Sequence, residues 1–327
     1  MPAPRVLFVK LSSLGDVIHH LPAVTDLASH RPEIRISWAV EEAYADLVAL
    51  HPGVSEVIPV GLRGLRAGLF DGARWRGIAS ARRSLARGGW DYVIDSQGLV
   101  KSALVARAAR GVSFGMDRRS AREGLAARFY DVKLPVARDR HAVERNRELV
   151  AQVFGYRVRT PASYGLAQPP AAPPWAPAGP YAVLLHAASR PRKAWPDERW
   201  IALGAILSAA GYACVLPGGT AGEREHAAQL ARAIPGATAA PPTSLADAAA
   251  LLGHASLVAG VDTGLTHLAV ALSRPTAGIY CATRPELTGL HGAQGVNLGG
   301  PAKPPAAEAV ARALGVGPEA ADPAAGE

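Results

Sequence analysis

The chain has 327 residues, 49% of them hydrophobic and 19% charged, which suits a globular protein of two ordinary domains, each with a core of its own. No uninterrupted apolar run approaches the ~18 residues of a membrane span, and the two cysteines, Cys214 and Cys281, lack a CxxC partner, which argues against a disulfide framework or a zinc site. The formal net charge of +8 is unevenly divided: up to Thr160 there are 25 Lys and Arg against 16 Asp and Glu, and beyond it 10 against 11, so the first half is the one suited to nucleic acid, a membrane surface or a phosphorylated substrate.

In chain order, strand-like runs alternate with helix-like ones. The N-terminus enters "RVLFV" almost at once, leaving no room for a secretory leader, so a cytoplasmic location is expected. A helix over Val17–Ser29 follows, then "IRISWAV", a helix over Ala43–Leu50, "SEVIPV", "DYVIDSQ" and the helical "LVKSALVARAAR". The stretch "TPASYGLAQPPAAPPWAPAGP" is too rich in proline and small residues for a helix or central strand and reads as a linker. The rhythm then restarts with "YAVLLHAAS", a helix after Pro196, "YACVLPGG", helices from Glu223 and near Leu245, "SLVAGVDT", a helix after Gly264, and "TAGIYCAT". A helical "PAAEAVARALG" and a polar tail close the chain. The expected fold class is α/β, with two doubly wound domains facing a central cleft: residues 1–160, a linker over 161–180, residues 181–315, and a disordered tail over 316–327.

Four clusters carry candidate chemistry. In "VLFVKLSSLGDVIHH" a turn containing Ser12, Ser13, Gly15 and Asp16 joins a strand to a helix, and Asp16 either caps that helix or faces a ligand. In "GVDTGLTHLAVAL", Asp262 ends a strand, and Thr263 and Gly264 open a helix whose unpaired N–H groups suit an anion; His267 lies one turn on. Capping by Asp262 and Thr263 and packing by His267 are the plain alternatives. The loop "HAASRPRKAWP" offers Ser189, Arg190, Arg192 and Lys193, either a solvated basic loop or a diphosphate site. In "LPGGTAGERE", Glu223 either begins a helix or accepts hydrogen bonds from a ribose. Among the first-half arginines, those between Trp75 and Arg87 fall at helical spacing on a solvated face, whereas Arg63 and Arg66 lie in a glycine-bearing loop and Arg118, Arg119 and Arg122 in another.

Rival classes fare worse. The first turn has only Gly15 where a dinucleotide fold wants GxGxxG, and no GxxxxGK[ST] occurs. Aromatic residues are 6% of the chain and do not interleave with the arginines, so no nucleic-acid partner is expected.

The segments "VKLSSLGDVIHHLPA", "DSQGLVKSALVARAARG", "GMDRRSARE", "HAVERNRELVAQVFGY", "HAASRPRKAWP" and "VDTGLTHLAVAL" together resemble the ADP-heptose glycosyltransferase family, across both halves from about Arg5 to Gly292. "GLVKSA" and "GMDRRSARE" point to the members that add the first heptose. The resemblance implies a GT-B fold without metal or other cofactor, an acceptor-binding N-terminal domain and a donor-binding C-terminal one. It implies transfer of heptose with inversion from ADP-L-glycero-β-D-manno-heptose to the first Kdo of Kdo2-lipid A, at the cytoplasmic face of the inner membrane. Carried onto this sequence, the general base falls on Asp16, donor contacts on Ser189, Lys193, Glu223, Asp262, Thr263, Gly264 and His267, and acceptor contacts on Arg63, Arg66 and Arg122. Two departures stand out. Ala188 and Ser189 occupy the place of two threonines common in the family, and Gly64 and Ala67 stand where relatives often carry basic residues. Another nucleotide-sugar transferase or an epimerase of the same architecture is the nearer alternative, and a noncatalytic basic protein binding lipid or nucleic acid the more distant one.

Overall fold

The computed structural model describes residues 2–61 and 72–317. The chain divides into two compact units, Met1–Ala167 and Gln168–Glu327. In the first, β1 (Arg5–Val9), α1 (Leu14–Ile18), α2 (Leu21–His30), β2 (Arg35–Glu41), α3 (Ala45–Ala49) and β3 (Val54–Val60) are followed by α4 (Gly72–Arg87), β4 (Tyr92–Asp95), α5 (Val100–Ala108), β5 (Val112–Met116), β6 (Val132–Leu134) and α6 (Ala142–Phe154). Its six strands are all parallel, in the order β3-β2-β1-β4-β5-β6. Pro59, which has no N–H to give a ladder, lies on the edge strand β3.

The second unit repeats the plan. It runs β7 (Tyr181–Leu185), α7 (Asp197–Ala209), β8 (Ala213–Leu216), α8 (Ala221–Ala233), β9 (Thr238–Ala239), α9 (Leu245–Gly253), β10 (Leu257–Val261), α10 (Gly264–Ala271), β11 (Thr276–Tyr280), α11 (Pro285–Thr288), β12 (Gly295–Gly299) and α12 (Ala307–Ala313). The sheet is again parallel, in the order β12-β11-β10-β7-β8-β9. Central strands of such sheets are covered on both faces, which is why β7 and β10 read as unbroken apolar runs and are buried throughout. Trp195 and Trp200 meet edge to face in the core with ring centroids 4.8 Å apart. Cys214 is buried there as a free thiol, and Cys281 is half-buried.

Three sequence expectations change in detail. The helix expected over Val17–Ser29 is two helices, because the chain restarts at Leu21 with Pro22 in the first turn, where a missing N–H costs nothing. The stretch expected as a linker over 161–180 is built into both units: Tyr164 is buried and the Ala167 N–H donates to Leu50 O at 3.0 Å, whereas Gln168 bonds the Gly253 carbonyl. In the expected tail, Val316 packs in the second core, and residues 318–327 lie outside the described ones.

Among the described residues of the first unit, one ion pair is deeply buried. On α6, Arg147 donates from Nε and Nη2 to the two carboxylate oxygens of Asp26 on α2, at 2.7 and 3.1 Å. Its remaining donors reach Glu144 at 3.1 Å and Thr160 O at 2.8 Å. With each guanidinium nitrogen engaged the pair is tolerable, but removing one partner strands a charge in the core. Asp26→Ala is therefore expected to lower the free energy of unfolding by about 3–5 kcal/mol in urea titration; a loss below about 1 kcal/mol, the size of an exposed pair, contradicts this.

Candidate active site

In each sheet the strand order reverses between two adjacent strands, β1 and β4 in the first unit and β7 and β10 in the second. Loops leaving such a pair diverge, and the crevice at their carboxyl ends is where open α/β sheets hold ligands.

In the first unit, Gln97, just after β4, clamps the loop after β1. Its Oε1 accepts from Leu11 N at 2.6 Å and Ser12 N at 3.4 Å, and its Nε2 donates to Ser12 O at 2.6 Å. Asp95 fixes this clamp from below: Oδ1 accepts from the Gln97 and Gly98 N–H groups, and Oδ2 from Ser102 Oγ and Tyr130 OH, both at 2.7 Å. Asp95 is wholly enclosed, and burial raises its pKa. Gly98 has φ of +69°, and a Cβ there would sit 3.2 Å from the Arg122 amide, so glycine lets the Arg122 loop approach.

Asp16 stands on α1 in this frame. Its Oδ2 accepts from Ser13 N at 3.1 Å, Ser13 Oγ at 3.2 Å and Arg122 Nη1 at 3.2 Å. Oδ1 makes no hydrogen bond among the described residues, and the side chain keeps 21% of its surface exposed. One oxygen thus serves the helix start, and the other has no hydrogen-bond partner among the described residues. Burial alone would raise the Asp16 pKa, but the charges of Lys10 and Arg122 and the Ser13 N–H bring it below its ordinary value, so the group is a carboxylate at neutral pH.

Sequence reasoning missed Lys10, Gln97 and Asn146. Lys10 is buried and its Nζ donates to Ser96 O at 2.9 Å and Asn146 Oδ1 at 3.3 Å. A lysine directly after an apolar central strand was the available signal. Lys101 reaches Ser12 Oγ at 3.1 Å. Arg63 and Arg66 lie outside the described residues. Arg82, Arg83 and Arg87 are exposed on α4, as expected for a solvated face.

In the second unit, Lys193, in the loop after β7, donates to Asp262 Oδ2 at 2.6 Å, and Thr283 Oγ1 donates to the same oxygen at 2.8 Å. His267 Nε2 lies 3.7 Å from Asp262 Oδ1. Burial would raise the Asp262 pKa, but His267, Lys193 and Thr283 together hold it well below the carboxylate range. Thr263 caps α10, its side chain accepting from Leu265 N at 3.2 Å, and Gly264 is the first helical residue. Thr266 donates to Val261 O at 2.7 Å and packs against Gly260, where a Cβ would collide with it. Asp262, Thr263, Gly264, His267 and Lys193 are thus brought to one end of the sheet. Ser189 is exposed in the β7–α7 loop. Glu223 completes a capping box, its Oε2 accepting from Gly219 N and Thr220 N at 2.9 Å each. Oε1 makes no hydrogen bond among the described residues. His186 Nε2 is 3.2 Å from the Glu223 carbonyl, so the start of α8 is tied to the end of β7.

Among the described residues no group of three or more His, Cys, Asp or Glu is placed to hold a metal ion, and no helix is long and apolar enough to cross a membrane.

The family model for glycosyltransferase family 9, the heptosyltransferases, matches residues 78–313. Lipopolysaccharide heptosyltransferase 1 of Escherichia coli strain K12 is 44% identical over 290 residues, 88% of this chain and 91% of the relative. The solved structure of E. coli heptosyltransferase WaaC with ADP matches at a TM-score of 0.88 and 41% identity, covering 94% of this chain and 98% of that one. The structure of WaaC with ADP-2-deoxy-2-fluoro heptose matches at 0.85, with the same identity and coverage. The fold is GT-B, as the sequence resemblance implies.

The enclosure of Lys10 has a measurable consequence. Burial lowers its pKa from 10.5 to about 8, against the opposing pull of Asp16. Between those two values the unfolded chain binds the extra proton, so this group's contribution to stability rises with pH. Relative to Lys10→Met, the wild-type unfolding free energy is expected to gain on the order of 1 kcal/mol per pH unit above about pH 8; a pH-independent difference contradicts it.

Proposed function

Because the chain belongs to glycosyltransferase family 9, the heptosyltransferases, and transfers heptose in assembly of the lipopolysaccharide inner core, we propose that its donor is ADP-L-glycero-β-D-manno-heptose and its acceptor the first Kdo of Kdo2-lipid A. Relatives solved with ADP and with a fluorinated ADP-heptose support the donor. The surplus of basic residues before Thr160 supports an acceptor bearing phosphates and carboxylates. The protein then works at the cytoplasmic face of the inner membrane, as a peripheral visitor rather than a spanning one.

The observation that carries the catalytic assignment is the split use of the Asp16 carboxylate, one oxygen anchored and the other without a hydrogen bond among the described residues. Oδ1 takes the proton of the acceptor hydroxyl as that oxygen attacks the anomeric carbon, on the face opposite the departing ADP, and the configuration inverts. A carboxylate of lowered pKa is a weak base, but it is ionised across the neutral range, and the hydroxyl becomes strongly acidic only as its bond to carbon forms. General-base assistance of this kind is worth ~10²- to 10⁴-fold.

Charge leaving with ADP is met in the second unit. Lys193, held by Asp262, and the unpaired N–H groups at the Gly264 end of α10 are donors suited to a diphosphate. Ser189 adds a hydroxyl, Thr263 and His267 flank the phosphates, and the free Oε1 of Glu223 accepts from the ribose. Arg122 meets the acceptor together with Arg63 and Arg66. No metal or other cofactor is required, because a cation and a helix terminus carry the charge of the leaving group.

Two substitutions divide the reaction between the units. Asp16→Asn keeps shape and an Oδ acceptor, so turnover of ADP-heptose with Kdo2-lipid A is expected to fall about 10²- to 10⁴-fold with ADP affinity and melting temperature near wild type. Lys193→Ala is expected to weaken calorimetric ADP binding about tenfold or more. Near-normal turnover of Asp16→Asn removes Asp16 as the base, and unchanged ADP affinity of Lys193→Ala removes Lys193 from the donor site.

A further inference from the structure

The segment "HAVERNRELV" supplies α6, and it contains a residue that the chemistry above leaves unused. Asn146 is 2% exposed, in the interior of the unit. Its amide nitrogen donates to His19 O at 2.9 Å, and its Oδ1 accepts from Lys10 Nζ at 3.3 Å. His19 is the C-terminal cap of α1, the five-residue helix that carries Asp16. Lys10 in turn donates to Ser96 O, one residue before the Gln97 clamp.

We propose that Asn146 and Lys10 are a positioning pair for Asp16: the amide pins the C-terminal end of α1, and the ammonium pins the amide to the loop after β4. This rests on Asp16 as the base. A helix of five residues is too short to hold itself, since nucleation costs more than one turn returns. Its N-terminal end is held by Ser13 and by the Gln97 clamp on Ser12, and its C-terminal end by Asn146. The pair therefore fixes the end that the Gln97 clamp does not reach.

The cation has a second effect. Lys10 is the foremost charge favouring the ionised form of Asp16, ahead of Arg122. Lys10 itself lies in the fields of Asp16, Arg122, Asp95 and Arg145. An enclosed ammonium with two neutral acceptors costs stability that a methionine of similar length would not, so its presence is better explained by what it does for Asp16 than by the core.

The test uses the full-length protein with Lys10→Met and Asn146→Ala, each made in the native and the Asp16→Asn backgrounds. In the native background each variant is expected to lower kcat about tenfold or more, with the KM for ADP-heptose within about twofold. For Lys10→Met the acidic limb of the kcat profile should also move to higher pH, because Asp16 loses the foremost charge that favours its ionised form. In the Asp16→Asn background neither change should lower residual turnover further, since residues acting through one another are not additive. A kcat within about twofold of wild type for both, or a loss of the same size in both backgrounds, overturns the pairing. Failure of both variants to fold assigns the pair to the core and overturns it as well. Near-normal turnover of Asp16→Asn alone is a separate outcome, which removes Asp16 as the base and with it the positioning role of the pair.

Discussion

A parallel sheet whose order reverses between two central strands must send the loops from those strands apart, and the candidate sites of both units lie where those loops part. Where the loops part, backbone groups at strand ends and helix starts lose their regular partners. Side chains must then replace them, as Gln97 does for Leu11 and Ser12 in the first unit and Thr263 does for Leu265 in the second. The same opening leaves some polar atoms, such as Asp16 Oδ1, without a hydrogen bond among the described residues.

The two units use that opening with opposite electrostatics. In the first, a carboxylate is surrounded by cations, Lys10 and Arg122, which keep it ionised although it is largely enclosed. In the second, a cation is held by a carboxylate, Lys193 by Asp262, beside the positive end of α10. A base needs an anion that stays charged in a dry place, and a leaving diphosphate needs a cation already aimed at it. On the proposed function the first unit supplies the former and the second the latter.

Much of this was legible in the sequence. The restart of the strand and helix rhythm after Pro180 gave two doubly wound sheets, and "VDTGLTH" placed Asp262, Thr263 and Gly264 at a strand end and helix start, where the structure has them. For Asp16 and Glu223 the pattern left capping and ligand roles open. In the structure each caps a helix start through one oxygen, and the second oxygen of each makes no hydrogen bond among the described residues. Lys10, Gln97 and Asn146 were not legible, because their contacts join residues 86 and 136 positions apart and depend on which strands become neighbours. The break between α1 and α2 was missed because apolar periodicity runs through it, and Pro22 read as part of one helix is in fact the start of another. For Arg63 and Arg66 the sequence alone speaks, since they lie outside the described residues.

The most direct measurement is the stereochemical outcome of one turnover. The protein is incubated with ADP-L-glycero-β-D-manno-heptose and deacylated Kdo2-lipid A, and the product is analysed by mass and by the NMR coupling at the new anomeric centre. The account predicts one heptose added to the first Kdo, in the α configuration, with one ADP released per transfer. A β-linked product, or release of free heptose without transfer to Kdo, would contradict it.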